Sequence, residues 1–222
     1  MKDLTGSLKA IIFDLDGTLV DTLEDVSESM NYILEGEGMM PKSRNHYRSL
    51  IGLGTYNMVR KTVTTTEHVS IEGLHRQFIT KYRENLVNHS SLYPDVETTL
   101  TALQNTRVPI AVLSNKSQDM INVILDSLFT NQVFVSVLGF RDGVKKKPDA
   151  TQALKIIEEM GVSSTKVGFV GDTTVDMKTA VNAGLVPIGV SWGYGEVDAL
   201  LESGAKHIID RPTQLLNYVG CR

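Results

Sequence analysis

Two carboxylates, Asp14 and Asp16, flank Leu15 directly after the apolar run Leu8–Phe13, in the segment Asp14-Leu15-Asp16-Gly17-Thr18-Leu19-Val20-Asp21. A buried strand ending there presents residues two apart to the same side, so both carboxylates can converge on one site while Leu15 anchors the backbone. One can attack and the other can move a proton. Gly17 lets the chain turn sharply after the pair, and Thr18 adds a hydroxyl and N–H groups able to face an anion. Capping and turning a strand would also use Asp and Gly, so the pair is weighed against the rest of the chain.

The elements that must position these groups follow from hydrophobic spacing. Short β-rich runs occur at Lys9–Leu15, Val108–Leu113, Val133–Leu138, Val167–Val170, Val186–Val190 and His207–Ile209. Helical stretches alternate with them, the signature of a parallel sheet wrapped by helices. Met120, Ile121, Ile124, Leu125 and Leu128 mark one helical face, and Leu154, Ile156, Ile157 and Met160 another before Gly161 ends that helix. Val96, Leu100 and Leu103 mark a third. Between Asp21 and Tyr93 the β-rich runs vanish. Apolar residues recur there at helical spacing, as in Val26, Met30, Ile33, Leu34 and Leu74, Phe78, Tyr82, Leu86, which predicts a separate helical insert. Glu35-Gly36-Glu37-Gly38 and Pro41 break its first helix, and Ser90-Ser91-Leu92-Tyr93-Pro94 closes it.

In open parallel sheets ligands bind where loops leave the carboxyl ends of the strands. Ser114, Lys147 and Asp172 all follow such ends, as Asp14 and Asp16 do. Asp172 and Asp176 stand four apart at a helix start, able to share a face near its positive end. Helix capping explains one of them, not both beside a second acidic pair. Several carboxylates in one pocket repel each other and a phosphate dianion, so a compensating cation is required, and an all-oxygen donor set suits Mg²⁺. Ser114 has no Ser–His–Asp context among the five histidines, so Ser114 and the Asn115 N–H are assigned to a phosphoryl oxygen.

The chain resembles the haloacid dehalogenase superfamily, in its phosphatase branch with a helical cap after the first strand, similar to phosphoglycolate phosphatases and β-phosphoglucomutases. The resemblance rests on Asp14–Thr22, Val112-Leu113-Ser114-Asn115, Lys147-Pro148 and Gly171-Asp172-Thr173-Thr174-Val175-Asp176, and covers nearly the whole chain. It implies a three-layer α/β, Rossmann-like parallel-sheet core from residues 1–20 and 93–222, with a helical cap over residues 21–92. It also implies Mg²⁺ held by Asp14, Asp172 and the Asp16 carbonyl, with Asp176 behind them holding a metal-bound water or Lys147. Lys147 would screen charge between Asp14 and the phosphate, before a proline that opens the next helix. The chain departs from the family pattern in lacking a glycine just before this lysine and in carrying Ala150 where a second proline is common. Gly52-Leu53-Gly54 falls in the cap region that family members use for specificity.

The expected activity is hydrolysis of a small phosphorylated metabolite through an aspartyl-phosphate on Asp14, with Asp16 as acid and base. A sugar phosphomutase uses the same core and differs in whether water or a substrate hydroxyl receives the phosphoryl group, and it is the alternative. Dehalogenases lack the second aspartate. A phosphonatase would use a cap lysine, and nothing marks Lys42, Lys61 or Lys81 for that role. Lys145 and Lys146 read as a solvated charge run. His46, His68, His75 and His89 lack metal-ligand spacing and read as surface or packing residues. Gly193-Tyr194-Gly195 reads as a plain flexible loop, and Trp192 as lining the pocket or packing.

The 222 residues, 41% apolar and 22% charged, fit an ordinary globular chain. A net charge of −4 argues against a general grip on nucleic acid or anionic lipid. The single Cys221 cannot form an intramolecular disulfide, and no signal-peptide stretch precedes the first strand, so a cytoplasmic setting is expected.

Overall fold

Ala10-Ile11-Ile12-Phe13 forms strand β1 and has no exposed face, each residue being at most 1% accessible. An unbroken apolar run takes this form in a parallel sheet covered on both sides. The computed structural model describes residues 6–63, 70–131 and 134–220. His68, Cys221 and Val133, the expected first residue of one strand, lie outside the described residues. After β1 (Ala10–Phe13) come β2 (Val20–Asp21), helices α1 (Leu23–Gly36), α2 (Arg44–Arg48), α3 (Thr55–Thr62) and α4 (Ile71–Glu84), and β3 (Ser91–Leu92). The chain continues through α5 (Val96–Asn105), β4 (Ile110–Ser117), α6 (Gln118–Leu128), β5 (Ser136–Phe140), α7 (Thr151–Met160) and β6 (Val167–Gly171). It ends with α8 (Thr174–Asn182), β7 (Val186–Val190), α9 (Val197–Glu202) and β8 (His207–Ile209).

Six strands form one parallel sheet in the order β5-β4-β1-β6-β7-β8. Alternate residues feed two cores. Ala10, Ile12, Ala111, Leu113 and Phe169 pack with Ala153 and Ile156 of α7 and Ala180 of α8. Ile11, Phe13, Ile110, Val112 and Val170 pack on the opposite side with Leu100 and Leu103 of α5 and Met120, Ile121 and Ile124 of α6. The result is the three-layer α/β architecture expected. Strand order reverses around β1, which has β4 on one side and β6 on the other, so a crevice opens at their carboxyl ends.

Two expectations are corrected. Leu154 is exposed, because Ala153, Ile156 and Ile157 carry the buried stripe of α7 and Leu154 lies on its flank. Pro148 does not open a helix: α7 starts at Thr151, after a turn in which Asp149 N–H donates to the Lys146 carbonyl.

Helices α1 to α4 lie between β2 and β3, with α4 packed on α1 and α3. β2 and β3 pair antiparallel through Val20–Leu92 and Asp21–Ser91, so the outgoing and returning segments cross side by side. Asp25, fully buried in the first turn of α1, accepts from the N–H groups of His89 and Ser90 at 2.9 and 2.8 Å and from Ser90 Oγ at 2.6 Å. Asp25→Ala would strand these donors away from water. It is expected to lower stability by about 3 kcal/mol, read as a reduced urea midpoint at unchanged slope, with Asp25→Asn losing less.

Candidate active site

Asp14 follows β1 and is fixed there by main-chain pairing, its N–H donating to the Val170 carbonyl at 2.9 Å. Its carboxylate lies 2.8 Å from Lys147 Nζ. Lys147 also meets Asp176 at 2.6 Å, and the side chains of all three residues are at most 5% exposed. Asp176 is held by the start of α8, where its Oδ2 accepts from Thr173 N and Oγ1 at 2.9 and 2.6 Å in a capping box. Asp172 ends the β6 connection, accepting from Thr18 Oγ1 at 3.0 Å and from the Tyr194 N–H at 2.8 Å. Gly17 has a φ of 81°, and a Cβ there would strike the Asp172 carboxylate, so the turn after Asp16 needs glycine twice over.

One oxygen each from Asp14, Asp172 and Asp176 lie within 4.8 Å of one another, all three residues buried. Octahedral Mg²⁺ sets ligand oxygens roughly 3 Å apart when adjacent and roughly 4 Å when opposite, so this all-oxygen donor set fits a divalent cation. Burial, reinforced by the charge of Asp176, pushes the Asp14 carboxyl up to about 7 against the lowering influence of Lys147. Burial, reinforced by the charges of Asp176 and Asp14, pushes Asp172 well above the ordinary carboxylate range. Burial alone would lower Lys147, but Asp14 and Asp176 hold it above the usual lysine value. The pocket is thus short of positive charge without a cation.

Asp16 lines the same cavity as Asp14 but stands outside that carboxylate group. Its Oδ1 accepts from Thr22 Oγ1 at 2.7 Å and meets Lys116 Nζ at 2.6 Å. Lys116 escapes a reading of the sequence that ends the strand at Leu113. β4 continues to Ser117, with its pairing to β5 shifting register between Leu113 and Ser117. Ser114 and Lys116, two apart and both buried, line the cavity together, and that spacing is the signal that would have found the lysine. Lys116 Nζ also donates to the Tyr82 hydroxyl at 2.6 Å.

The Asn115 side chain is committed elsewhere: Oδ1 accepts from Lys147 N at 2.8 Å, and Nδ2 donates to the carbonyls of Lys147 and Gly52, both at 3.1 Å. Gly52 and Gly54 line the cavity, whereas Leu53 lines a separate cleft beside Thr173 and Glu196. Val26, Leu50, Met58 and Phe78 supply its apolar wall. Lys145 is exposed and pairs with Asp149, but Lys146 is half-buried with Nζ 3.9 Å from the Phe140 ring centre, which corrects the reading of both as solvated. His46 and His75 bond Thr62 and Thr55, and His89 lies beside Glu28, consistent with packing and surface roles.

The loop Gly193–Gly195 is structural rather than merely flexible. Tyr194 holds Asp172 by its N–H, while its hydroxyl accepts from Thr22 N at 2.8 Å and lies 3.0 Å from Asp21 Oδ1. Arg48 donates to the carbonyls of Gly193 and Tyr194 at 2.6 and 3.1 Å, a contact between distant segments that no local spacing signals. Trp192 packs with its indole N–H on the Thr18 carbonyl at 3.0 Å.

The sequence profile of the haloacid dehalogenase-like hydrolases matches residues 11–190. The chain belongs to that family. Within it the chain is a phosphoric monoester hydrolase, as its similarity to curated phosphatases indicates. It is 30% identical to a phosphoglycolate phosphatase of Chromobacterium violaceum over 87% of this chain and 89% of that one. It is 33% identical to a phosphoglycolate phosphatase of Agrobacterium fabrum over 84% of this chain and 82% of that one. A crystal structure described as a predicted phosphoglycolate phosphatase from Haemophilus somnus superimposes with a TM-score of 0.86 at 30% identity, covering 95% of this chain and 97% of that one.

Because Asp14 sits at about 7 in the fold against an ordinary 3.8, with Asp172 also raised, the folded metal-free protein holds protons that the unfolded chain has released between those values. Its stability therefore falls as pH rises through that window. Melting of chelated protein is expected at a higher temperature near about pH 5 than near about pH 7.5, and added Mg²⁺ is expected to stabilise more at the higher pH. A chelated protein that melts higher as pH rises contradicts the assignment.

Proposed function

We propose that the chain is a Mg²⁺-dependent phosphatase of small phosphorylated metabolites, of the phosphoglycolate phosphatase type, working through an aspartyl-phosphate on Asp14. The observation that carries this reading is the separation of two carboxylates on one cavity. Asp14 is set among Lys147, Asp172 and Asp176, and Asp16 is set apart with Lys116.

An Asp14 oxygen bonds to phosphorus as the ester P–O bond breaks, and Asp16 gives its proton to the departing alkoxide. Both Asp16 bonds to described residues use Oδ1, which leaves Oδ2 for that transfer. In the second half Asp16 takes a proton from water, the water oxygen bonds to phosphorus, and the P–O bond to Asp14 breaks, releasing phosphate and restoring the carboxylate. Mg²⁺, held by Asp14, Asp172 and the Asp16 carbonyl, would supply positive charge at the phosphoryl oxygens. Lys147 shares that task, positioned by Asp176 and by the clamp of Asn115 on its peptide groups. Ser114 Oγ and the Asn115 N–H bind a phosphoryl oxygen.

Residues 21–92 act as a cap, with Gly52 and Gly54 facing substrate. The cap wall of the cavity is mainly apolar, which supports a small alcohol over a polyhydroxylated sugar as the leaving group. The reading includes a cytoplasmic setting, supported by the single cysteine. No helix among the described residues is long and apolar enough to cross a membrane.

Asp14→Asn is expected to abolish release of phosphate from any monoester while leaving the melting profile cooperative, and wild-type turnover in that variant would refute the nucleophile. Asp16→Asn is expected to cost about 10²–10⁴-fold in kcat/KM, which covers only formation of the aspartyl-phosphate, on alkyl phosphates. Its loss should be much smaller on p-nitrophenyl phosphate, whose leaving group departs without a proton. Equal losses on both esters would remove the acid role from Asp16.

A further inference from the structure

Lys116 is an ammonium with 4% side-chain exposure on the wall of the active-site cavity. It has three N–H groups to place. One goes to Asp16 Oδ1 and one to the Tyr82 hydroxyl, each at 2.6 Å. Among the described residues none accepts the third. Tyr82 comes from α4 and is stacked on Phe78 with ring centres 5.4 Å apart, so the ammonium is held from two sides, by Asp16 and by Tyr82. A buried donor without an acceptor is costly, and more so when charged. The cavity wall also carries the side chains of Val26, Leu50 and Phe78, which cannot accept a hydrogen bond, and of Met58, whose thioether accepts only weakly.

The missing acceptor has a defined place relative to the reaction. If Asp16 reaches the ester oxygen of the leaving alcohol by an ordinary hydrogen bond, that oxygen lies roughly 4–5 Å from Lys116 Nζ. An acceptor about 2.8 Å from the ammonium is then within reach of a group one carbon beyond the carbon that carries the ester oxygen. A carboxylate at that point meets the donor with its own charge, whereas a hydroxyl meets it only as a dipole.

Resting on the phosphatase reading above, we infer that Lys116 is a specificity-determining residue that binds a carboxylate on the alcohol portion of the substrate, selecting phosphate esters of small 2-hydroxy acids over esters of neutral alcohols of equal size. Tyr82 and Phe78 act through it, holding the ammonium toward the cavity.

The test compares kcat/KM for phosphoglycolate and for 2-hydroxyethyl phosphate, which replaces the carboxylate by a hydroxymethyl group, in the wild type and in Lys116→Met. The wild type is expected to prefer phosphoglycolate by about a hundredfold, the difference between an ammonium meeting a carboxylate and the same ammonium meeting a neutral hydroxyl. In Lys116→Met both rates fall, since Asp16 loses a partner, but phosphoglycolate falls at least about tenfold further and the preference shrinks accordingly. Equal losses on the two esters would show that Lys116 only positions Asp16, and would overturn the proposal. A second measurement needs no variant: glycolate is expected to inhibit wild-type turnover of 2-hydroxyethyl phosphate well below the concentration at which ethylene glycol does so. Equal inhibition overturns the proposal even if Lys116→Met does not fold. Equal turnover of the two esters by the wild type sinks the role of Lys116 and leaves the phosphatase standing, whereas turnover of neither sinks the substrate reading and this proposal together.

Discussion

The site is organised by the mutual repulsion of buried carboxylates. Unit charges about 5 Å apart repel by about 3 kcal/mol at an effective dielectric of 20, and Asp14, Asp172 and Asp176 are held within that range by two separate segments, the end of β1 and the passage from β6 into α8. The fold sustains this because each is tied to its own support: Asp14 to β6, Asp176 to the cap of α8, Asp172 to Thr18 and Tyr194. Lys147 relieves part of the strain by bridging Asp14 and Asp176. What is left over is an unmet demand for positive charge at one buried point, the feature that makes this group of carboxylates a candidate cation site.

A second ion pair stands a short distance away and is chemically separate. Asp16 and Lys116 meet at 2.6 Å on the same cavity. Environment thus distinguishes two aspartates only two residues apart. One faces a carboxylate cluster with a shared lysine. The other faces a private lysine, a threonine and a tyrosine. Opposed surroundings of this kind are how two identical side chains take different parts in one reaction.

Much of the architecture was legible because buried parallel strands leave continuous apolar runs. Ala10–Phe13, Val167–Gly171 and Val186–Val190 could scarcely be read otherwise. The convergence of Asp14 with Asp172 was legible too, since carboxyl ends of neighbouring strands share one edge of the sheet. Lys116 was hidden because Ser-Asn-Lys-Ser reads as polar loop, and the continued strand depends on a register shift that only the partner strand imposes. The roles of Arg48 and Tyr194 rest on contacts with segments more than 140 residues away, for which local spacing holds no signal. Leu154 was misplaced for a simpler reason: an apolar residue beside a helical stripe need not belong to it.

The clamp made by Asn115 fixes its own residue type by hydrogen-bond valence. It must accept one proton from the Lys147 amide while giving two, one to the carbonyl of Lys147 and one to that of Gly52. An aspartate has no hydrogens to give, a serine has one, and only a terminal amide offers an acceptor and two hydrogens in a single planar group. One small side chain therefore makes the seating of Lys147 and the approach of the glycine turn at Gly52 parts of the same stereochemical requirement.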